Sequence, residues 1–273
     1  MPDIRVAISS PLDDNLYSLL VSHLCINEVG ITVCGIITLK VFSLQRIRTE
    51  YKRQGRSLIT NIIKKINVVF SKKFSKNLYD EEIISKIGLR ESSMKCLSKK
   101  NKIPYLKVSD PNNNDAIEFL KKQRPDLILS IGSIIMRKPF LEIPTIGVLN
   151  VHKGILPDYR GVGVTEWPII ENRSLCTRLG VTLHFMDTGV DTGPILIKKR
   201  LNASHCHSLN EVESKYLKEM VNLMITGVRM ARDGKICSIS QKNNLKFNKG
   251  KQYFATHKRM RLMAEKIIKS FSK

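Results

Sequence analysis

The sequence predicts an α/β fold: a Rossmann-like, mostly parallel sheet with helices on both faces. Three observations carry this. Short β-branched runs alternate along the chain with stretches of helical spacing. The run 31–39 is β-branched, and 126–131 is a continuous apolar run, as strands buried on both faces are. The first forty residues read strand, helix, strand, the unit that parallel pairing requires.

Taken in order, Ile4-Arg-Val-Ala-Ile-Ser9 is a short apolar strand. Residues 16–24 place Leu16, Leu19, Leu20, His23 and Leu24 on one side of a helix. Residues 31–39 form the second strand. The loop after the first strand reads Ser9-Ser-Pro-Leu-Asp-Asp14 and lacks Gly-x-Gly-x-x-Gly, which argues against a nicotinamide cofactor. Residues 40–100 form a basic insertion, with helical spacing over 53–70 and 79–97. Residues 103–108 return to strand. The polar run 110–114 caps a helix over 115–123, which Pro125 ends.

Residues 126–131 and 148–152 are strands, with a loop opened by Pro157 and Gly161. A helix through 167–171 and strands over 180–186 and 194–201 follow. Residues 208–232 read as a long helix: Ser208 caps it, Glu211 completes a capping box, and Gly234 ends it. Past Gly234 little is regular, apart from a basic amphipathic helix expected over 253–271. The expected organisation is a catalytic domain over 1–205, interrupted by the basic insertion at 40–100. A C-terminal helix and basic tail would occupy 206–273.

Composition narrows the class. The chain of 273 residues is 42% hydrophobic, ordinary for a soluble globular protein. It has no run of eighteen apolar residues, so no transmembrane helix is expected. The opening Met-Pro-Asp-Ile lacks the charged-then-apolar order of a signal peptide, and a cytoplasmic location is expected. The six cysteines are scattered, without Cys-x-x-Cys, and read as reduced, mostly buried thiols. His205-Cys-His207 brings no third or fourth ligand and reads as a polar turn, not a metal site.

The net charge is +22, and it is uneven. Residues 40–107 carry a net +13 and residues 233–273 a net +9, which accounts for all of it. Three explanations stay open. The charge attracts a phosphate-bearing substrate or nucleic acid; it attracts an anionic membrane surface; or it reflects a coding bias that favours Lys on solvated faces.

Chemistry concentrates in two stretches, residues 147–161 and 180–194. Asn150 and His152 lie two apart on an extended segment, so their side chains leave one face. The end of a buried strand is where open α/β sheets place ligands. Asp191 supplies a carboxylate. An amide to bind a developing oxyanion, an imidazole to move a proton and a carboxylate to orient it are what acyl transfer onto an amine needs.

These stretches resemble the formyltransferases that use 10-formyltetrahydrofolate. That family includes glycinamide ribonucleotide transformylase, methionyl-tRNA formyltransferase and the amino-sugar N-formyltransferases. The shared signatures are Asn150-Val-His152, Ile155-Leu-Pro157, Tyr159-Arg-Gly161, Gly180-Val-Thr182 and Asp191-Thr-Gly193. The resemblance is dense over 121–201, compatible over 4–39, and absent in the basic middle and the tail. One departure is Gly154 before Ile155-Leu-Pro157, where a common form of the motif has Ser. It bears on the branch, not on the catalytic groups.

The resemblance implies roles for single residues. Asn150 stabilises the oxyanion, His152 transfers the proton and Asp191 pairs with it; Asp187 shapes the loop. The loop carrying Met186, Asp187, Gly189 and Val190 holds the pterin of 10-formyltetrahydrofolate. Ile134, Ile135 and Met136 form the apolar wall of that pocket. Arg160 and Thr182 face the amine acceptor. No metal is implied. The acceptor most in keeping with Gly-Ile-Leu-Pro, Asp-Tyr-Arg-Gly and Trp167-Pro-Ile169 is a nucleotide-linked amino sugar. The N-terminal loop lacks the glycines of glycinamide ribonucleotide enzymes. The forty residues after Gly234 are too few for the β-rich domain with which methionyl-tRNA formyltransferases help bind tRNA. Three alternatives stay open: those two acceptors, hydrolysis of formyl-folate to formate, and a non-catalytic polyanion-binding protein on a formyltransferase core. A homodimer also stays open.

Overall fold

In the computed structural model the alternating elements assemble into one seven-stranded sheet. The residues described are 3–40, 78–132, 134–172, 175, 178–238, 241 and 250–271. The first elements are β1 (Ile4–Ser10), α1 (Leu16–Ile26), β2 (Ile31–Leu39), α2 (Leu78–Ile87), α3 (Met94–Lys100), β3 (Tyr105–Val108) and α4 (Asn114–Gln123). Next come β4 (Leu127–Ser130), α5 (Lys138–Leu141), β5 (Gly147–His152), β6 (Tyr159–Gly161) and α6 (Glu166–Asn172). The chain continues with β7 (Gly180–Phe185), β8 (Ile195–Arg200), α7 (Leu209–Arg232), β9 (Lys251–Tyr253) and α8 (Lys258–Ser270).

The strand order is β3-β2-β1-β4-β5-β7-β8. Neighbours from β3 to β5 are parallel. β7 then runs antiparallel to β5, and β8 antiparallel to β7. The mostly parallel α/β sheet expected from the sequence is the fold observed. Outside it, β6 pairs in parallel with β9.

Strand periodicity sorts side chains onto two cores. Leu127, Leu129, Leu149, Val151, Val181 and Leu183 join α1 and α7 in the larger cluster. Ala7, Ile37, Ile128 and Val148 point the other way, onto Met136, Phe140 and α4 residues Ala116 and Leu120. Helix starts follow the sequence signals. Asn15 accepts from Ser18 N, Asn113 from Ala116 N and Ser208 from Glu211 N. Glu211 reaches back past the cap, accepting from His207 N at 3.0 Å and from the Ser208 hydroxyl at 3.0 Å.

Several expectations change. The single helical stretch over 79–97 is two helices: α2 ends at Ile87, and Ser93 starts α3 by accepting from Cys96 N at 3.1 Å. The pattern over 253–271 is divided as well. Tyr253 belongs to β9, and the helix begins only after His257, which caps it. The region past Gly234 thus holds the expected terminal helix, over a shorter span, and a strand that was not expected. The helix expected over 53–70 lies outside the described residues. Among the described residues no helix is long and apolar enough to cross a membrane.

Candidate active site

The site forms at the carboxyl end of β5, where β7 lies beside it. Register fixes the arrangement: Asn150 pairs with His184, and His152 with Thr182. Residues directly opposite in an antiparallel pair project from the same face. All four polar side chains therefore stand together, on the face opposite Leu149, Val151 and Leu183.

His152 is 7% exposed. Its Nδ1 faces Asp191 Oδ2 at 3.4 Å, and its Nε2 donates to the Tyr159 carbonyl at 2.7 Å. Asp191 Oδ2 also accepts from Gly161 N at 2.8 Å. The structure thus brings Asn150, His152 and Asp191 to one place. It turns Asp191 into the left-handed region, φ 52, to do so.

His184 is the group the sequence reading missed. Its Nε2 lies 3.1 Å from Asn150 Nδ2 and 3.8 Å from Asp191 Oδ1, and its Nδ1 lies 2.8 Å from the Phe185 carbonyl. Burial pushes its imidazole down to about 4, against the attraction of Asp191 and with the help of His152. A signal was present: Thr182 and His184 alternate as polar positions in an otherwise apolar strand.

Thr182 is fully buried and works on the chain itself. Its hydroxyl donates to Gly154 O at 2.7 Å and accepts from Leu156 N at 3.1 Å, pinning the loop after His152. Arg160 turns to the C-terminal strand, with Nη2 donating to Gly250 O at 2.6 Å. Lys153, next to His152, is paired with Glu213. Burial alone would raise the Glu213 carboxyl, but the charge and bonds of Lys153, with the Thr165 hydroxyl, hold it below its ordinary range.

The residues expected to hold a pterin lie in the segments that follow β4 and β7. Ile134 and Met186 are half-buried and pack beside Val148 on the triad's face of the sheet; Ile135 is 66% exposed, while Met136 is buried in the core beneath. Asn112 holds this wall: its side chain donates to Ile135 O at 3.0 Å and accepts from Arg137 N at 2.7 Å. Sequence reading placed Asn112 in a helix cap only. Asp187 binds its own loop, accepting from Gly189 N at 3.0 Å and the Thr192 hydroxyl at 2.7 Å. Val190 is half-buried and Gly189 exposed.

An amide, an imidazole and a carboxylate thus stand together at the carboxyl end of β5. The chain belongs to the formyl transferase family, whose profile matches residues 52–228. It spans about half the length of the curated relatives it matches. With the methionyl-tRNA formyltransferase of Thermotoga maritima it is 29% identical over 145 residues, 52% of this chain and 45% of that protein. Its fold is that of the phosphoribosylglycinamide formyltransferase of Anaplasma phagocytophilum, with a TM-score of 0.56 and 15% identity over 86% of this chain and 90% of the other. It is also that of an N-formyltransferase of Helicobacter canadensis solved with folinic acid and dTDP-3-aminofucose. There the TM-score is 0.53 and the identity 16%, over 92% of this chain and 70% of the other.

Proposed function

We propose that this protein transfers the formyl group of 10-formyltetrahydrofolate to a primary amine, and that the amine belongs to a nucleotide-linked amino sugar. The observation that carries the transfer is the placement of His152 Nδ1 3.4 Å from Asp191 Oδ2, with Asn150 on the same strand face. Family membership supports the formyl donor, and the apolar packing of Ile134 and Met186 against the cluster that holds Val148, two residues before Asn150, is in keeping with a pterin pocket. The proposed roles of Gly189 and Val190 rest on their position in the same loop.

In this reading the acceptor nitrogen attacks the formyl carbon. Asn150 donates a hydrogen bond to the oxygen as it becomes negative; one such donor is typically worth about 10²–10³ in rate. The carbon–nitrogen bond to N10 of the folate breaks. The amine loses one proton and N10 gains one, and His152 carries out that exchange. Asp191 balances the imidazolium while the proton is on the ring.

The acceptor rests on different support. Gly154-Ile-Leu-Pro157, Asp158-Tyr-Arg-Gly161 and Trp167-Pro-Ile169 resemble the amino-sugar branch. The net charge of +22 suits a nucleotide diphosphate. The likeness in fold to an enzyme solved with a nucleotide-linked aminosugar is compatible with this. Methionyl-tRNA is the second reading, favoured by the curated relatives.

The test follows tetrahydrofolate release from 10-formyltetrahydrofolate with nucleotide-linked 3-amino and 4-amino sugars. Methionyl-tRNA, glycinamide ribonucleotide and a no-acceptor control run beside them. Turnover with a sugar nucleotide is expected. Turnover with methionyl-tRNA alone would replace the sugar reading, release without acceptor would mean a hydrolase, and no folate-dependent reaction would sink formyl transfer.

A further inference from the structure

The catalytic centre extends past the family match, which ends at residue 228. Gln241 lies beyond it and is 1% exposed. Its amide nitrogen donates to the carbonyl oxygens of Asp191 at 3.2 Å and Gly193 at 2.5 Å. Both carbonyls belong to the turn that carries the catalytic carboxylate. Asp191 sits at φ 52, a conformation a non-glycine residue keeps only where its surroundings impose it.

The Gln241 side chain gives both its hydrogens to this turn, while its buried Oε1 has no partner among the described residues. A buried, unpaired amide oxygen is unfavourable, and an apolar side chain of the same shape would avoid it. What the glutamine contributes is the pair of donor bonds.

The opposite partner of the carboxylate is also held from the C-terminal region. Asp191 Oδ2 accepts from Gly161 N, and Gly161 pairs with Tyr253 in the β6–β9 ladder. Val162 N donates to Tyr253 O at 3.2 Å, and the Tyr159 and Tyr253 rings stack at 5.2 Å. Gln241 and β9 thus grip the two sides of the Asp191–Gly161 contact.

We infer that Gln241 is a positioning residue, which fixes the Asp191 turn so that the carboxylate meets both His152 Nδ1 and Gly161 N. The C-terminal segment is then part of the active site, not an appendage. The kinetic arm of the test rests on the formyl-transfer reading.

The variants are Gln241→Leu, which removes both donors at similar volume, and Gln241→Glu, which sets a carboxylate against two carbonyls. Both should lower kcat about 10-fold or more, since small misplacement of a catalytic group is costly. KM for the formyl donor should stay within about 3-fold, because Gln241 touches no substrate in this reading. The Glu variant should recover in part at acidic pH, where the introduced carboxyl regains a donor. The second readout needs no activity: the ¹⁵N chemical shift of His152 Nδ1 should differ between wild type and Gln241→Leu. A Leu variant with kcat within about 2-fold of wild type, or with an unchanged Nδ1 shift, overturns the proposal. If the wild type itself transfers no formyl group, the function reading fails, and the Nδ1 shift alone still decides the role of Gln241.

Discussion

Asn150 donates its side-chain N–H to His184, its register partner on the neighbouring antiparallel strand, at 3.1 Å. The direction follows from the other ring nitrogen. His184 Nδ1 lies 2.8 Å from the Phe185 carbonyl, which can only accept, so Nδ1 holds the proton and Nε2 offers its lone pair. One hydrogen of the Asn150 amide is thereby fixed, which aims the other. Burial favours the neutral imidazole that this geometry requires. His184 is thus arranged to orient the Asn150 amide, the proposed oxyanion donor.

The same burial predicts an acid-labile term in stability. Unfolded, His184 titrates near its ordinary value of about 6.5; folded, at about 4. Well above pH 6.5 neither state binds the proton and His184 costs nothing. As pH falls from about 6.5 towards 4 the unfolded state gains its proton first, so stability drops, by on the order of 1–3 kcal/mol. Below that the native state takes the proton too, and the loss levels off. Urea unfolding at pH 7 and pH 5 should show a larger drop for wild type than for His184→Gln. Equal drops would mean that His184 titrates normally in the fold.

Asn150→Ala, His152→Ala and Asp191→Ala should each lower turnover by about two orders of magnitude or more. Circular dichroism should show the fold intact. His152 and Asp191 act as one unit across 3.4 Å, so the double variant should be hardly worse than the poorer single one. Losses that multiply in the double variant would mean that the two groups act independently. Near-normal turnover in His152→Ala would reject the mechanism outright.

Thr182→Val keeps the side-chain shape and removes the hydroxyl bridge between Gly154 O and Leu156 N. It leaves two buried backbone groups short of a partner. The expected loss is about 1–3 kcal/mol, read by chemical denaturation, with lower kcat because the loop carries the Tyr159 carbonyl that holds His152. Unchanged stability with a raised acceptor KM would instead assign Thr182 to substrate contact, the role the family resemblance implies.

How far the chain could be read from its residues follows from the range of each interaction. The β5 pair Asn150 and His152 was legible because a period of two is a local property. Asp191 was legible through its dense motif. His184 was not, because its importance comes from cross-strand register, which joins residues 34 apart in the chain. Gln241 and β9 were harder still. Lys251-Gln-Tyr253 has no apolar alternation, and the strand exists because it pairs with β6. In residues 79–97 the apolar spacing ran on across a break, and Ser93, a local cap, was the feature overlooked.

The β6–β9 contact carries the last prediction. Gly161 has φ 91, and a Cβ there would collide with the Tyr253 carbonyl oxygen. Gly161→Ala therefore combines backbone strain with a backbone clash, and relief requires β6 and β9 to separate. Gly234 supplies the control: its φ is 65, and a Cβ there would meet nothing within 4 Å. Gly234→Ala should cost only the strain of a left-handed alanine, about 1 kcal/mol, and leave turnover unchanged. Gly161→Ala should cost clearly more. It should also lower turnover about 10-fold or more, because the Gly161 N–H that holds Asp191 Oδ2 moves with the strand. Melting temperatures and kcat for the two variants, measured side by side, check this. Equal losses in both would show that the C-terminal strand does not constrain the carboxylate.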